Sequence, residues 1–205
     1  MNAIIKPAGF EAGFFYQNWP FVHIFSHERV MKVNDSNKTD FAVLGGGCFW
    51  CIEAVFSKTK GVLEAISGYA GGESGPPTYE QVSTGITGHA EVVRVEYNPA
   101  VISFESLLEL FFKAHNPTTP NRQGADIGTQ YRSIILYNDD RQKKLAEQAI
   151  EKAGVDYKTG IVTELKPLSE FYRAEEYHQH YYMKNPSQGY CTVVIRPKMN
   201  KLGLE

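Results

Sequence analysis

Cysteine is scarce in this sequence. Cys48, Cys51 and Cys191 are the three in 205 residues, too few and too odd a number for the disulfide scaffold of a small secreted domain. Long apolar runs are missing too: no stretch approaches the ~20 apolar residues that a membrane helix needs. The start of the chain lacks the pattern of a secretory leader, because Lys6 is the only early basic residue and Pro7, Glu11, Asn18 and Pro20 cut the apolar segments. A reduced, cytoplasmic protein with no membrane role is therefore expected. Charge of one sign is also lacking. The formal net charge of −2 gives no reason to expect nucleic acid or an anionic surface as partner. Internal repeats, low-complexity tracts and a linker between large halves are absent, which leaves one domain.

What is present is ordinary globular material, 42% hydrophobic and 21% charged. Aromatic residues reach 13%, which suits a core and also a cleft that grips a soft, weakly polar group. Residues 1–38 show no sustained period but carry Phe14, Phe15, Tyr16, Trp19, Phe21 and Phe25, and read as an N-terminal arm to which no chemistry is assigned. Residues 39–205 read as the compact domain.

Within it, Phe41 to Leu44 predicts a short buried strand that runs into three glycines and then a helix with Ile52, Val55 and Phe56 on one face. Val62 to Ala70 predicts a second strand, followed by the turn-rich loop GGESGPPTY, Gly71 to Tyr79. From His89 to Tyr97 the residues alternate, with Val93, Val95 and Tyr97 opposite Val92, Arg94 and Glu96. Ser103 is placed to cap a helix that runs to His115. The polar stretch Asn116 to Gln130 reads as a loop long enough to carry function. Ser133 to Tyr137 predicts a strand, Asp139 to Ala153 a charged surface helix, Ile161 to Leu165 a strand and Arg173 to Met183 a last helix, before an irregular tail around Gly189-Tyr190-Cys191. The expected fold is α+β: a single-domain two-layer α/β sandwich with a ferredoxin-like core and irregular N- and C-terminal extensions.

The chemistry centres on GGGCFWC, Gly45 to Cys51. Cys48 sits where a glycine turn enters a helix, and there free N–H groups and the helix dipole favour an anion and lower a thiol pKa. Cys51 completes the Cys-x-x-Cys spacing of dithiol redox motifs. Zinc is the competing use, but a structural site takes four ligands, usually two such pairs, and the third cysteine and the histidines lack ligand spacing. Phe49 and Trp50 are able to wall a thioether or methyl group, and each also fits as simple core packing. His89 shares a strand face with Glu91, and a Cys–His pairing would suit acyl transfer, as in a thiol protease. A general thiol-disulfide oxidoreductase and a redox-sensing module are further alternatives. His178 and His180 read as packing or surface residues.

Six blocks, GGGCFWC, GYAGG (Gly68 to Gly72), PTYEQV (Pro77 to Val82), TGHAEVV (Thr87 to Val93), RQGADIGTQYRS (Arg122 to Ser133) and YHQHY (Tyr177 to Tyr181), together resemble the A-type peptide methionine sulfoxide reductases, in order and at compatible spacing from about Phe41 to Lys198. The resemblance implies thiol-dependent reduction of the S epimer of methionine sulfoxide, for protein repair, with Cys48 as nucleophile and Glu91 as proton donor. It further implies that Tyr79 and Tyr131 offer hydroxyls to the sulfoxide oxygen, that Phe49 and Trp50 hold the S-methyl group, and that Asp126 orients substrate or nucleophile. The implied cycle runs through a Cys48 sulfenic acid and a disulfide with Cys191 or Cys51, the first disulfide leaning to Cys191, and is renewed by an external dithiol such as thioredoxin. No metal or organic cofactor is implied. Many members carry a further cysteine downstream of the one matching Cys191, which this chain lacks.

Overall fold

The strand β1 (Asp40–Gly46) is buried along most of its length, because partners flank both its edges and side chains cover both its faces. The structure, a computed structural model, describes residues 39–205; the expected arm lies outside the described residues. After β1 come α1 (Phe49–Ser57), β2 (Val62–Ala70), α2 (Tyr79–Ser83), β3 (Ala90–Tyr97), α3 (Phe104–Ala114), the two-residue strands β4 (Arg122–Gln123) and β5 (Asp126–Ile127), and β6 (Ser133–Tyr137). Helix α4 (Asp140–Gly154), strands β7 (Glu164–Pro167) and β8 (Phe171–Arg173), and helices α5 (Tyr181–Lys184) and α6 (Arg196–Lys201) complete the domain. Six strands form one sheet in the order β7-β6-β1-β3-β2-β8, and β4 pairs with β5 separately. All pairings in the large sheet are antiparallel except β6 with β7. The fold is α+β.

The two-residue period of the strands divides the apolar side chains between two faces. Leu44, Tyr69, Val93, Val95, Tyr97 and Ile135 face the main core, where α1 adds Phe49, Ile52, Val55 and Phe56 and α3 adds Phe104, Leu107, Leu108 and Phe111. Each such side chain, fully buried, contributes roughly 1.5–3 kcal/mol. The opposite face holds a smaller cluster, Val43, Ala70, Ala90, Val92, Ile134 and Leu136, over which Phe41, Leu168 and Phe171 fold. Three helix starts are capped as their sequences direct. Ser103 accepts from the Ser106 N–H at 3.2 Å, Asp139 accepts from the Gln142 N–H at 2.6 Å, and Thr78 and Gln81 form a reciprocal capping box.

Four expected segments differ. The strand expected at Ile161 to Leu165 lies at Glu164–Pro167, because Val162 N–H is already given to Pro117 O at 2.8 Å and the Thr163 and Ser133 hydroxyls pair with each other at 2.7 Å. The polar loop from Asn116 to Gln130 is not structureless: it carries the β4–β5 hairpin and the start of a 3-10 turn, Thr129–Tyr131. No single helix runs from Arg173 to Met183. That stretch holds the end of β8, a 3-10 turn at Glu176–His178 and the start of α5, with His180 at φ 53° between them. The Glu53 carboxylate takes the N–H groups of His180 (2.8 Å) and Tyr181 (3.3 Å), which a continuous helix would give to Glu176 and Tyr177. Finally, the tail is regular where irregular backbone was expected. A π-helical turn at Cys191–Ile195 leads into α6, and Cys191, Ile195 and Met199 are completely buried. Among the described residues no helix is long and apolar enough to cross a membrane.

Candidate active site

Three consecutive glycines end β1, and none of them has room for a side chain. A Cβ on Gly45 would stand 2.8 Å from the Glu91 carbonyl oxygen, and one on Gly46 2.9 Å from the rings of His115 and Phe111. Gly47 has φ +96°, a region that favours glycine, and its Cβ would meet Gln123 at 2.5 Å. The chain therefore turns hard against β3 and delivers Cys48 to the N-cap of α1, where it is 8% exposed.

Beside it, β3 brings in Glu91. This carboxyl is 2% exposed, because residue 91 shares the core-facing parity of Val93, Val95 and Tyr97. Burial pushes its pKa up to about 8, helped by the charges of Asp126 and Cys51, against the pull of the Phe49 N–H that it accepts at 3.0 Å. At neutral pH it is mostly an acid with a proton to give. That same N–H explains a departure from expectation. The helix start holds Glu91 rather than a Cys48 thiolate, and the Cys48 thiol lies well above its ordinary range, raised by burial, by the hydrogen bond it shares with Cys51 and by the Glu91 charge. Cys51 moves the other way, to about 7, chiefly because Cys48 hydrogen-bonds it.

The remaining expected residues gather round this pair. The Tyr131 phenol is pushed up by burial and by the charges of Glu91, Cys48, Tyr79 and Asp126, and that of Tyr79 by burial, Glu91 and Cys48. Asp126 accepts a 2.7 Å hydrogen bond from the Tyr190 hydroxyl, which also lies 3.6 Å from the Cys51 sulfur. Phe49 is buried and Trp50 half-buried, with ring centroids 6.3 Å apart. Cys191 is fully covered, and its thiol is raised by burial first and then by Cys51. His89 stands apart from the thiols. Its Nδ1 accepts from the Gly72 N–H at 3.1 Å and its Nε2 faces Ser74 O at 3.0 Å, so both nitrogens brace a loop and neither serves Cys48 as the base an acyl-transfer enzyme would need. Among the described residues no three or more His, Cys, Asp or Glu side chains cluster so as to hold a metal.

The sequence model of the family described as "Peptide methionine sulfoxide reductase" matches residues 40–204. This chain belongs to that family. A curated relative from Nautilia profundicola, "Peptide methionine sulfoxide reductase MsrA", is 56% identical over 163 residues, covering 78% of this chain and 92% of its own. Among solved structures, reduced Mxr1 from Saccharomyces cerevisiae superposes with a TM-score of 0.72 at 38% identity, covering 77% of this chain and 91% of that one. Mxr1 solved in complex with Trx2 superposes with a TM-score of 0.52 at 30% identity, over 72% and 87% of the two chains. The protein is thus an oxidoreductase that acts on methionine sulfoxide in peptides.

Sequence reasoning missed several residues of this reductase. Trp50 is stacked on Tyr181 at 3.7 Å and 6°, donates its indole N–H to His178 Nδ1 at 3.2 Å, and meets the edge of Tyr190 at 5.9 Å. Glu53, on the same helix as Trp50, holds the backbone on which Tyr181 sits. The signal for His178 and Tyr181 is the block YHQHY, which enters the family resemblance, although His178 taken alone reads as a packing or surface residue. Tyr190 gave no signal apart from its neighbour Cys191.

Proposed function

We propose that the protein reduces the S epimer of methionine sulfoxide through a thiol cycle centred on Cys48. The observation that carries this reading is a buried Glu91, its pKa pushed up to about 8 by burial, lodged against the N-terminus of the helix that starts at the nucleophile. A sulfoxide oxygen leaves sulfur badly unless it is protonated, and a carboxyl titrating near neutral pH is matched to that task. Tyr79 and Tyr131 keep their phenol protons at any physiological pH, so they remain hydrogen-bond donors to the same oxygen. Phe49 and Trp50 form the apolar wall for the S-methyl group, and Asp126 acts through Tyr190.

Oxygen moves from the sulfoxide to the Cys48 sulfur. The substrate sulfur gains two electrons and departs as methionine, and Cys48 loses two and becomes a sulfenic acid. A second thiol then attacks the Cys48 sulfur, and the oxygen leaves as water. What supports Cys51 for this step is its hydrogen bond with Cys48 and its pKa near 7, whereas Cys191 lies fully buried within the π-helical turn of the tail. In this reading Cys191 accepts the disulfide from Cys51 by exchange and carries it onward as the tail opens. Thioredoxin, the kind of partner seen with Mxr1, reduces it through its own dithiol. The order β6-β1-β3-β2, with α1 and α3 crossing on one face, supports a ferredoxin-like core beneath the site.

The test uses a peptide carrying methionine sulfoxide as separated S and R epimers, with dithiothreitol or thioredoxin as reductant. The wild type forms methionine from the S epimer, and Cys48→Ser forms none, because an alcohol is a far poorer nucleophile towards sulfur than a thiol and has no sulfur to be oxidised to a sulfenic acid. Substantial turnover by Cys48→Ser, or an equal rate on both epimers, would sink the proposal.

A further inference from the structure

His178 is 2% exposed, yet among the described residues its Nε2 has no hydrogen-bond partner. A buried donor without a partner is costly and calls for a reason. The ring is not loosely packed. Its centroid lies 4.9 Å from that of Phe49, 4.6 Å from Tyr79 and 4.2 Å from Tyr177. Its Nδ1 accepts the Trp50 indole N–H at 3.2 Å. An imidazole that accepts at Nδ1 carries its proton on Nε2 when neutral, and the nearest acid to Nε2 is Glu175, with Oε2 at 4.0 Å. Glu175 is itself held, by the Tyr69 hydroxyl at 2.7 Å and the Tyr79 N–H at 2.9 Å. The carboxylate therefore favours the tautomer with Nε2–H, and that tautomer leaves Nδ1 free to receive Trp50. This is the way a carboxylate fixes which nitrogen of a histidine does the work.

The backbone beneath the ring is pinned from both sides. Gln179, one residue on, is 1% exposed and hydrogen-bonds the Ser67 N–H and carbonyl and the Ala174 carbonyl. Glu53 holds the next two N–H groups. The left-handed His180 shows that this stretch is bent to fit and does not follow helical preference. Two half-buried residues of the site, Trp50 and Tyr79, thus depend on one imidazole–carboxylate pair.

We propose that His178, oriented by Glu175, is the positioning residue that aims the Trp50 indole, and that it thereby sets how tightly the S-methyl group of the substrate fits. The second half rests on the reading of Trp50 as a wall of the substrate site; the first does not. His178 touches no reacting atom, so its loss weakens substrate binding and leaves the chemical step alone.

The experiment compares three substitutions in a Trp19→Phe background, where Trp50 is the sole indole. Asparagine can put its side-chain oxygen near the place of Nδ1; phenylalanine keeps a ring but offers no acceptor; glutamine can put its amide near Nε2 and leaves the indole unpaired. KM for a methionine sulfoxide peptide, the single-turnover rate at saturating peptide and the Trp50 emission spectrum are measured for each, with dithiothreitol as reductant in the steady-state runs. The expected result is a KM about tenfold higher for His178→Phe and His178→Gln, the size of one lost buried hydrogen bond, with an altered emission spectrum and an unchanged single-turnover rate, and near wild-type behaviour for His178→Asn. If all three variants behave alike in KM and emission, or if the single-turnover rate falls while KM stays put, His178 does not aim Trp50. Should His178→Phe fail to fold, the asparagine and glutamine variants decide by the same criteria. If the background protein makes no methionine, the reductase reading fails, and the emission spectra still decide whether His178 sets Trp50.

Discussion

Glu91 works against ionisation of Cys48 in the free protein. Its charge adds to burial in raising the Cys48 thiol, while burial, Asp126 and Cys51 raise Glu91 itself to about 8. At neutral pH the site therefore carries the carboxyl proton that an isolated glutamate would have released. Glu91→Gln keeps size and polarity but has no proton to give, so turnover should fall by ~10²–10⁴ with a much smaller change in substrate affinity. The wild-type rate should fall as pH rises past about 8, where Glu91 loses its proton, and the glutamine variant should lack that limb. Alkylation by iodoacetamide supplies a second reading. Without the Glu91 charge the Cys48 midpoint should move to lower pH, and a midpoint that stays put would mean that the two groups are not coupled. Stability carries the opposite sign. The folded protein holds the Glu91 proton over the range from its ordinary 4.5 to about 8, where the unfolded chain has released it, so stability falls as pH rises through that window. Glu91→Gln should therefore melt at a higher temperature than wild type at pH 8 and above. The burial of Glu91 was legible in the parity of β3. The effect of Glu91 on Cys48 was not, because the helix N–H that a free thiolate would have used is occupied by a residue 42 positions away.

At the scale of elements, what could be read was what is settled locally. The limits of β2 and β6 and the cap of α3 follow from alternation and from Ser103, and they stand as expected. The segment from Arg173 onward was misread because its shape comes from Glu53, over a hundred residues earlier, and from Gln179 reaching to Ser67. Neither tie leaves a local mark in the sequence. In the proposed cycle the tail that follows, which holds Cys191, bears on how the sulfenic acid is resolved. One equivalent of sulfoxide peptide, given without reductant to Cys51→Ser and to Cys191→Ser, should yield about one methionine per site in both, because oxygen transfer needs only Cys48. Disulfide mapping by mass spectrometry should then find Cys48–Cys51 in Cys191→Ser, formed as fast as the first disulfide of the wild type. In Cys51→Ser the sulfenic acid should persist, and any Cys48–Cys191 bond should form slowly, limited by opening of the tail. A fast Cys48–Cys191 bond in that variant would hand the first step to Cys191.

For the molecule as a whole, the α+β class was readable from the alternation of strand and helix patterns, but the order of the sheet was not. β1 lies between β3 and β6, partners some 50 and 90 residues away by register, and the parallel β6–β7 pair has no hairpin turn to announce it. The family match at residues 40–204 contains every residue of the site. A chain that starts at Met31 should therefore fold and keep its activity with dithiothreitol. Loss of activity in a truncation with native far- and near-ultraviolet circular dichroism would give the first thirty residues a part in the reaction. The complete burial of Cys191 has one more consequence. A bulky thiol reagent can reach it only while the C-terminal turn is lifted, so at high reagent concentration the labelling rate should level off at the rate of lifting itself. That plateau is a clock for the C-terminal flap, and it runs with no substrate present.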